Sequence, residues 1–240
     1  MPNLYVNLAA FKTRIDVATA ADDAEMLVLL ENISRAIDQL CNRFFYELQE
    51  TRYFDGAQKM LVLDQDLIAL DSVKSDDDDD AVYETAWASA DYHLYPYQGE
   101  PKTALLIATS GLKTDFLPGE QRALELAGQW GYKRTWRDST SGINEGAAFS
   151  ATDLTLTVDD GADFAVGQTI RIESEQLYVS AIAANNLTVQ RGVNGTAAAT
   201  HADNTGIDIF DYPPVIMEAA IMQAARSWQR KTDRFLTAFP

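Results

Sequence analysis

The sequence predicts an α+β protein with a discontinuous core and an inserted all-β domain, a small barrel or sandwich. Three observations carry that expectation. Apolar residues recur at three- and four-residue steps from Met26 to Leu48 and again from Met217 to Phe235. From Thr51 the period changes to short apolar or alternating runs of strand length. Residues 148–209 differ in composition from their surroundings, being rich in Ala, Thr, Val, Asn and Gly and containing no lysine. The expected division is a core of residues 1–146 and 208–240, interrupted by a β domain of residues 147–207.

In chain order, Asn7 is placed to cap a short first helix bearing Leu8, Phe11 and Ile15. Asp22-Asp-Ala-Glu25 has capping-box spacing and starts a second helix, whose seam of Met26, Leu30, Ile33, Ile37, Leu40, Phe44 and Leu48 would hold over roughly seven turns. Cys41, between Ile37 and Phe44, is then expected as a small buried hydrophobe. Short strands follow at 51–56, 60–63 and 67–73, with turns at Gly56 and Asp64-Gln-Asp66. Two more are expected at Lys102 to Thr109 and Arg122 to Trp130, and the polar stretch from Thr135 to Gly146 is expected as a linker. Within the insert, five runs beginning at Leu154, Thr169, Leu177, Leu187 and Ile207 alternate, with turn signals between them. Pro213 and Pro214 then mark the start of a last helix, because proline costs little where its amide would have no partner.

With 240 residues, 47% of them hydrophobic, the chain can bury a real core. Its net charge of −17, from 19 basic and 36 acidic side chains, argues against tight, sequence-independent nucleic-acid binding. The opening Met-Pro-Asn-Leu-Tyr-Val lacks the basic start and apolar run of an export signal, and no stretch is long and apolar enough to span a membrane.

Catalytic patterns are missing. His93 and His201 are far apart, no His/Cys/Asp spacing suits a metal, and there is neither a phosphate-cradling glycine loop nor a nucleophile elbow. The expectation is a non-enzyme with no cofactor and no metal. The Asp76 to Asp80 run lacks the spacing and internal glycine of a calcium loop, so a solvated loop tip is favoured. Trp87, Trp130, Trp136 and Tyr92, Tyr95 and Tyr97 could form a sugar platform, although core or subunit-contact aromatics are the commoner case. The last helix supplies the better clue. Trp228, Arg230, Arg234, Phe235 and Phe239 are of the types that dominate protein interfaces, and Arg226 and Lys231 add to a basic end in an acidic chain.

The order of several short motifs carries a resemblance. They are Tyr5-Val-Asn-Leu-Ala-Ala-Phe-Lys12, Asp22-Asp-Ala-Glu-Met-Leu with Ser34-Arg-Ala-Ile-Asp38, Arg43-Phe-Phe45, Thr51-Arg-Tyr-Phe-Asp-Gly56, Asp91-Tyr-His-Leu-Tyr-Pro96, Gly128-Gln-Trp-Gly-Tyr132 and Pro213-Pro-Val-Ile-Met-Glu-Ala-Ala. Over roughly residues 4 to 135 and 211 to 235 the chain resembles the head-tail connector, or adaptor, proteins of long-tailed bacteriophages.

That resemblance implies a helical bundle with a small attached β-sheet, made in the host cytoplasm and assembled at the neck of the virion. The implied assembly is a ring of twelve copies beneath the portal, which meets a stopper or tail-completion protein on its other face. Genome DNA would pass through its channel without specific binding. Carried over to this sequence, portal docking falls to Trp228, Arg230, Lys231, Arg234, Phe235 and Phe239, and ring packing to the helix bearing Leu30, Ile33, Ile37 and Phe44. The insert departs from the minimal family pattern. Its Val166-Gly-Gln-Thr-Ile and Arg191-Gly-Val-Asn-Gly-Thr segments resemble small β modules of other virion proteins. The alternative is a carbohydrate-binding or virion-surface decoration protein that acts through this insert.

Overall fold

The structure is a computed structural model that describes residues 3–236, with side chains described as far as Lys231. Among the described residues it contains three helices and two antiparallel sheets of six strands each. With 21% helix, the protein is mostly β, which overturns the helical bundle with a small attached sheet. Two local causes account for much of the difference. The second helix stops early, and strands extend through segments expected to turn or to link.

The chain divides into two compact units, residues 43–134 and residues 1–42 with 135–240. In the first, the sheet is built from β1 (Leu48–Phe54), β2 (Met60–Ser75), β3 (Thr85–Ala86), β4 (Tyr92–Tyr95), β5 (Lys102–Ile107) and β6 (Leu124–Trp130). Its order is β1-β6-β2-β5-β4, with β3 paired to the end of β2. Asp64-Gln-Asp66 does not turn the chain. It lies inside the 16-residue β2, where the register against β5 shifts between Val62 and Leu67 and the strand passes to β6. An irregularity of this kind bends a strand without ending it.

Leu61, Leu63, Leu67, Leu105, Leu124, Leu126 and Trp130 form the core on one side of this sheet, and Trp87 and Phe116 stack within it at 5.2 Å. The Gly128-Gln-Trp-Gly-Tyr132 motif has a packing cause. Trp130 is fully buried, and a side chain at Gly131 would sit 2.2 Å from the Tyr46 carbonyl oxygen.

In the second unit, β7 (Trp136–Gly142), β8 (Thr155–Thr157), β9 (Thr169–Ile172), β10 (Glu175–Ala183), β11 (Asn186–Gln190) and β12 (Gly206–Phe210) pair in the order β7-β12-β9-β10-β11-β8. The two outer strands meet just beyond their ends. Ile143 bridges to Val158, the Asp159 amide donates to the Gly142 carbonyl, and the Asn144 amide donates to the Thr157 carbonyl, so the sheet curls toward closure. Inside it lie Ile143, Phe149, Leu156, Val158, Ile170, Ile172, Leu177, Val179, Leu187, Val189, Ile207 and Ile209.

β7 occupies the stretch expected as a linker. Its Trp-Arg-Asp-Ser-Thr-Ser-Gly has no apolar alternation, yet Ser139 and Ser141 are buried, and the Ser139 hydroxyl donates to the Ile207 carbonyl at 2.6 Å. Pairing with β12 satisfies a strand that has little hydrophobic drive of its own.

The helices of this unit are α1 (Leu8–Arg14), α2 (Asp23–Cys41) and α3 (Pro214–Leu236). Asn7 caps α1, accepting from the Ala10 amide at 2.8 Å. Asn42 adopts a left-handed conformation after Cys41, with its amide bonded back to Asp38, and this ends α2. Phe44 and Leu48 are therefore off the helix, and Cys41 is exposed rather than buried.

The N-terminal segment ties the helices to the β domain of the same unit. Leu4, Tyr5 and Val6 are buried, the Leu8 amide donates to the Val166 carbonyl, and Asn3 and Asn194 exchange side-chain hydrogen bonds of 2.7 and 3.0 Å. Gly167, at φ +96°, leaves room for Leu4, whose Cδ1 would lie 2.8 Å from an added side chain. Removal of residues 147–207 would uncover this apolar segment. The expected result is a chain that loses native tertiary packing, measured by amide dispersion in an NMR spectrum. A well-dispersed spectrum from the deletion would contradict the packing described.

Candidate functional site

Helix α3 carries the expected contact residues. Its buried row includes Ala220 and Ala224, whose small side chains let α3 approach α1 and α2 closely. Trp228 continues that side, edge-on to the buried Phe11 with ring centres 6.5 Å apart. The Lys231 ammonium sits 4.6 Å over the Trp228 ring and pairs with Glu25. Trp228 and Lys231 thus already have partners within their own chain.

The outer face of α3 runs from exposed Val215 and Met222 to exposed Arg226 and Arg230, the last three at successive four-residue steps. Arg234 and Phe235 lie on α3, but their side chains, and the whole of Phe239, lie outside the described residues. Of the expected ring-packing residues, Leu30 is buried within its own unit, and Ile33 and Ile37 are half-buried on α2. Phe44 belongs to the other unit, stacked on Tyr46 at 4.7 Å.

In the aspartate run, Asp77 to Asp80 are exposed in a loop, as a solvated tip requires, and Asp76 alone is buried. Asp76 is only 5% exposed, and its two oxygens accept from the amides of Asp78, Asp80 and Ala81. Among the described residues, Asp76, Asp78, Asp80 and Glu84 are the one set of carboxylates or other ligands close enough to share a cation, with oxygens within 4.8 Å of one another. Repulsion from Asp80 raises the Asp78 carboxyl above its ordinary range. Asp76 acts here as the staple of its own turn.

The aromatic residues do not make one platform. Trp87 and Trp130 are core residues, while exposed Tyr95 and Tyr97 meet edge-on at 86° and His93 meets Tyr97 at 69°. Flat stacking on a sugar ring needs a coplanar surface, which these rings do not offer.

A buried ionic cluster in the β domain was not legible in the sequence. Glu175 has no exposure to solvent. Arg191 approaches it bidentately, Nε and Nη2 each 2.7 Å from a different oxygen, and the amides of Gly192 and Ala199 each donate at 3.0 Å. His201 adds Nε2 at 2.8 Å, while its Nδ1 lies 2.8 Å from Glu173. The remaining Arg191 donors reach the carbonyls of Ser150, Asp153 and Ala199.

Burial alone would raise the Glu175 carboxyl; Arg191, the Ala199 amide, His201 and the Gly192 amide outweigh it and hold it at about 2. The four residues fall at irregular spacing, so no periodic pattern announces them. Glu173-x-Glu175 beside a hairpin turn, with a distant histidine and an arginine that precedes a glycine, is the only sequence signal they leave.

No family model matches the chain, and no curated protein matches it.

Replacing Arg191 with Met would leave a charged carboxylate buried without its main partner. The expected loss is about 3–5 kcal/mol of unfolding free energy, read from urea titrations at neutral pH. Adding Glu175→Gln to that variant should recover part of the loss. In the parent protein Glu175 is more acidic folded than unfolded, so its stabilisation is present above the ordinary glutamate range and is lost as pH falls toward 2.

Proposed function

We propose that this chain is a non-enzymatic structural protein of a long-tailed phage virion, a head-to-tail adaptor at the neck. In this reading copies assemble as a ring, of twelve by the resemblance, beneath the portal. The ring meets a stopper or tail-completion protein on its other face and lets genome DNA pass through its centre. The helical bundle implied by the resemblance is no part of the reading. What supports it is the ordered series of motifs from Tyr5 to the Pro213-Pro214 helix start, together with the outer face of α3.

That face is the observation that carries it. A helix anchored through Ala220 and Ala224 presents Val215 and Met222 and then Arg226 and Arg230, in a chain whose net charge is −17. Apolar residues beside arginine are the composition of an interface core, and a basic end on an acidic protein favours an acidic partner surface. The same excess of carboxylates suits a conduit, since DNA sliding past a negatively charged wall is not held by counterion release.

The test is to mix the purified chain with portal rings of its phage, separate complexes by size and image them for symmetry. A ring stacked on one end of the portal is the expected result. The double variant Arg226→Glu with Arg230→Glu should fold normally by circular dichroism and lose that complex by at least tenfold in affinity. Trp228 is a poorer probe, because its contact with Phe11 would mix folding with docking. No portal complex, with glycans captured by the folded chain, would put the carbohydrate-binding alternative in its place.

A further inference from the structure

The turn between β9 and β10 is two residues long, Glu173-Ser174, because Ile172 pairs directly with Glu175. Glu173 has φ +54°, in the left-handed region where such turns ordinarily carry glycine, asparagine or aspartate. A glutamate there is conformationally disfavoured, and residues held against their preference mark places where the surrounding structure requires them. What it achieves is specific. Its side chain, 62% exposed, extends one carboxylate oxygen to within 2.8 Å of His201 Nδ1.

His201 is 1% exposed, and its other nitrogen is 2.8 Å from the buried Glu175. A neutral imidazole has one N–H, so it can donate to one of these carboxylates and must turn a lone pair toward the other. Only the imidazolium donates to both. The charged groups facing the ring are therefore Glu173 and Glu175, with Arg191 behind Glu175.

Arg191 and His201 bracket a strap, residues 191–201, that is hydrogen-bonded to Glu175 and Gln176 at the start of β10. Its far end is fixed by a two-way backbone bridge, Phe149 amide to His201 carbonyl at 2.9 Å and His201 amide to Phe149 carbonyl at 3.0 Å. Glu175 is saturated by five donors and stays ionised. Glu173 has one ring contact and open solvent on its other side.

We propose that His201 and Glu173 form a proton-operated latch on this strap. With the proton on Nδ1, the Glu173 arm is held against the ring, and His201 is gripped by a carboxylate at each nitrogen. When Nδ1 gives its proton to solvent, Nε2–H stays on the buried Glu175, the lone pair now facing Glu173 repels its carboxylate, and the arm swings into water. The β domain stays held through Arg191, and His201 keeps its contact with Glu175 while losing the one with Glu173. Stability contributed by the arm is thus present at lower pH and lost as pH rises.

The experiment follows the ring nitrogens of His201 by NMR in the full chain, assigned against His93→Gln, between about pH 5 and pH 8. Amide protection factors of Phe149 and His201 are measured in parallel. Doubly protonated nitrogens at the acid end are expected, with protection falling about tenfold as Nδ1 deprotonates, the size of one charge-assisted hydrogen bond. Glu173→Gln should remove the pH dependence, because its amide can turn to accept from or donate to either ring form, and it leaves the Glu175 cluster untouched. A His201 ring that stays singly protonated across the range overturns the latch, as does a Glu173→Gln variant with the parent's pH dependence.

Discussion

A carboxylate shut away from water must be neutralised where it sits, and in the β domain Glu175 imposes that condition on everything near it. Five donors from one eleven-residue segment converge on it: both forks of Arg191, the amides of Gly192 and Ala199, and the His201 ring. Their common demand fixes the path of residues 191–201, a segment without regular secondary structure. Arg191 in turn spends its other donors on the carbonyls of Ser150 and Asp153, so the same ion pair orders the loop before β8. The aromatic face of Phe149 lies 4.2 Å beneath the guanidinium and excludes water from it. A single charge placed at the start of β10 thus organises two loops that hydrophobic burial alone would leave loosely specified.

The two sheets meet the problem of their edges differently. In residues 135–210 the outer strands come together through Ile143 and Val158, which removes most of the open edge. In residues 43–134 the edges remain. β1 is guarded by Arg52, paired with Glu50 and Asp64, whereas β4 is only four residues long and is followed by Pro96. Open strand edges invite pairing with other chains, and charge or brevity limits it.

The helices follow a third rule. Their contacts depend on small residues on α3 and on one buried N-terminal segment, in which Tyr5 donates its hydroxyl to Asp38 and its amide to the Ser34 hydroxyl. Burial raises the Asp38 carboxyl, against the Tyr5 hydrogen bond and Arg35. Because the segment also seats against Gly167 and Asn194, α1, α2, α3 and the β domain are one folding unit, and the face of α3 left outside is a consequence of that packing.

The local signals were legible in the sequence by itself: the Asn7 cap, the start of α2 after Asp22, the Pro213-Pro214 helix start and the alternating runs that became β8 to β12. Each is set by neighbours a few residues apart, where propensity and spacing operate. The sequence also determined the charge imbalance that weighs on any account of its partners. Tertiary structure decided the rest. Helix α2 ends at Cys41 because Asn42 turns left-handed, although the apolar spacing runs on into a segment that packs elsewhere. β7 exists because β12 offers it a ladder, not because Ser139 and Ser141 favour a strand. Glu175, Arg191 and His201 form a cluster only once residues 191–201 have folded back onto the start of β10, since the attraction between charges depends on separation in space and leaves no period along the chain.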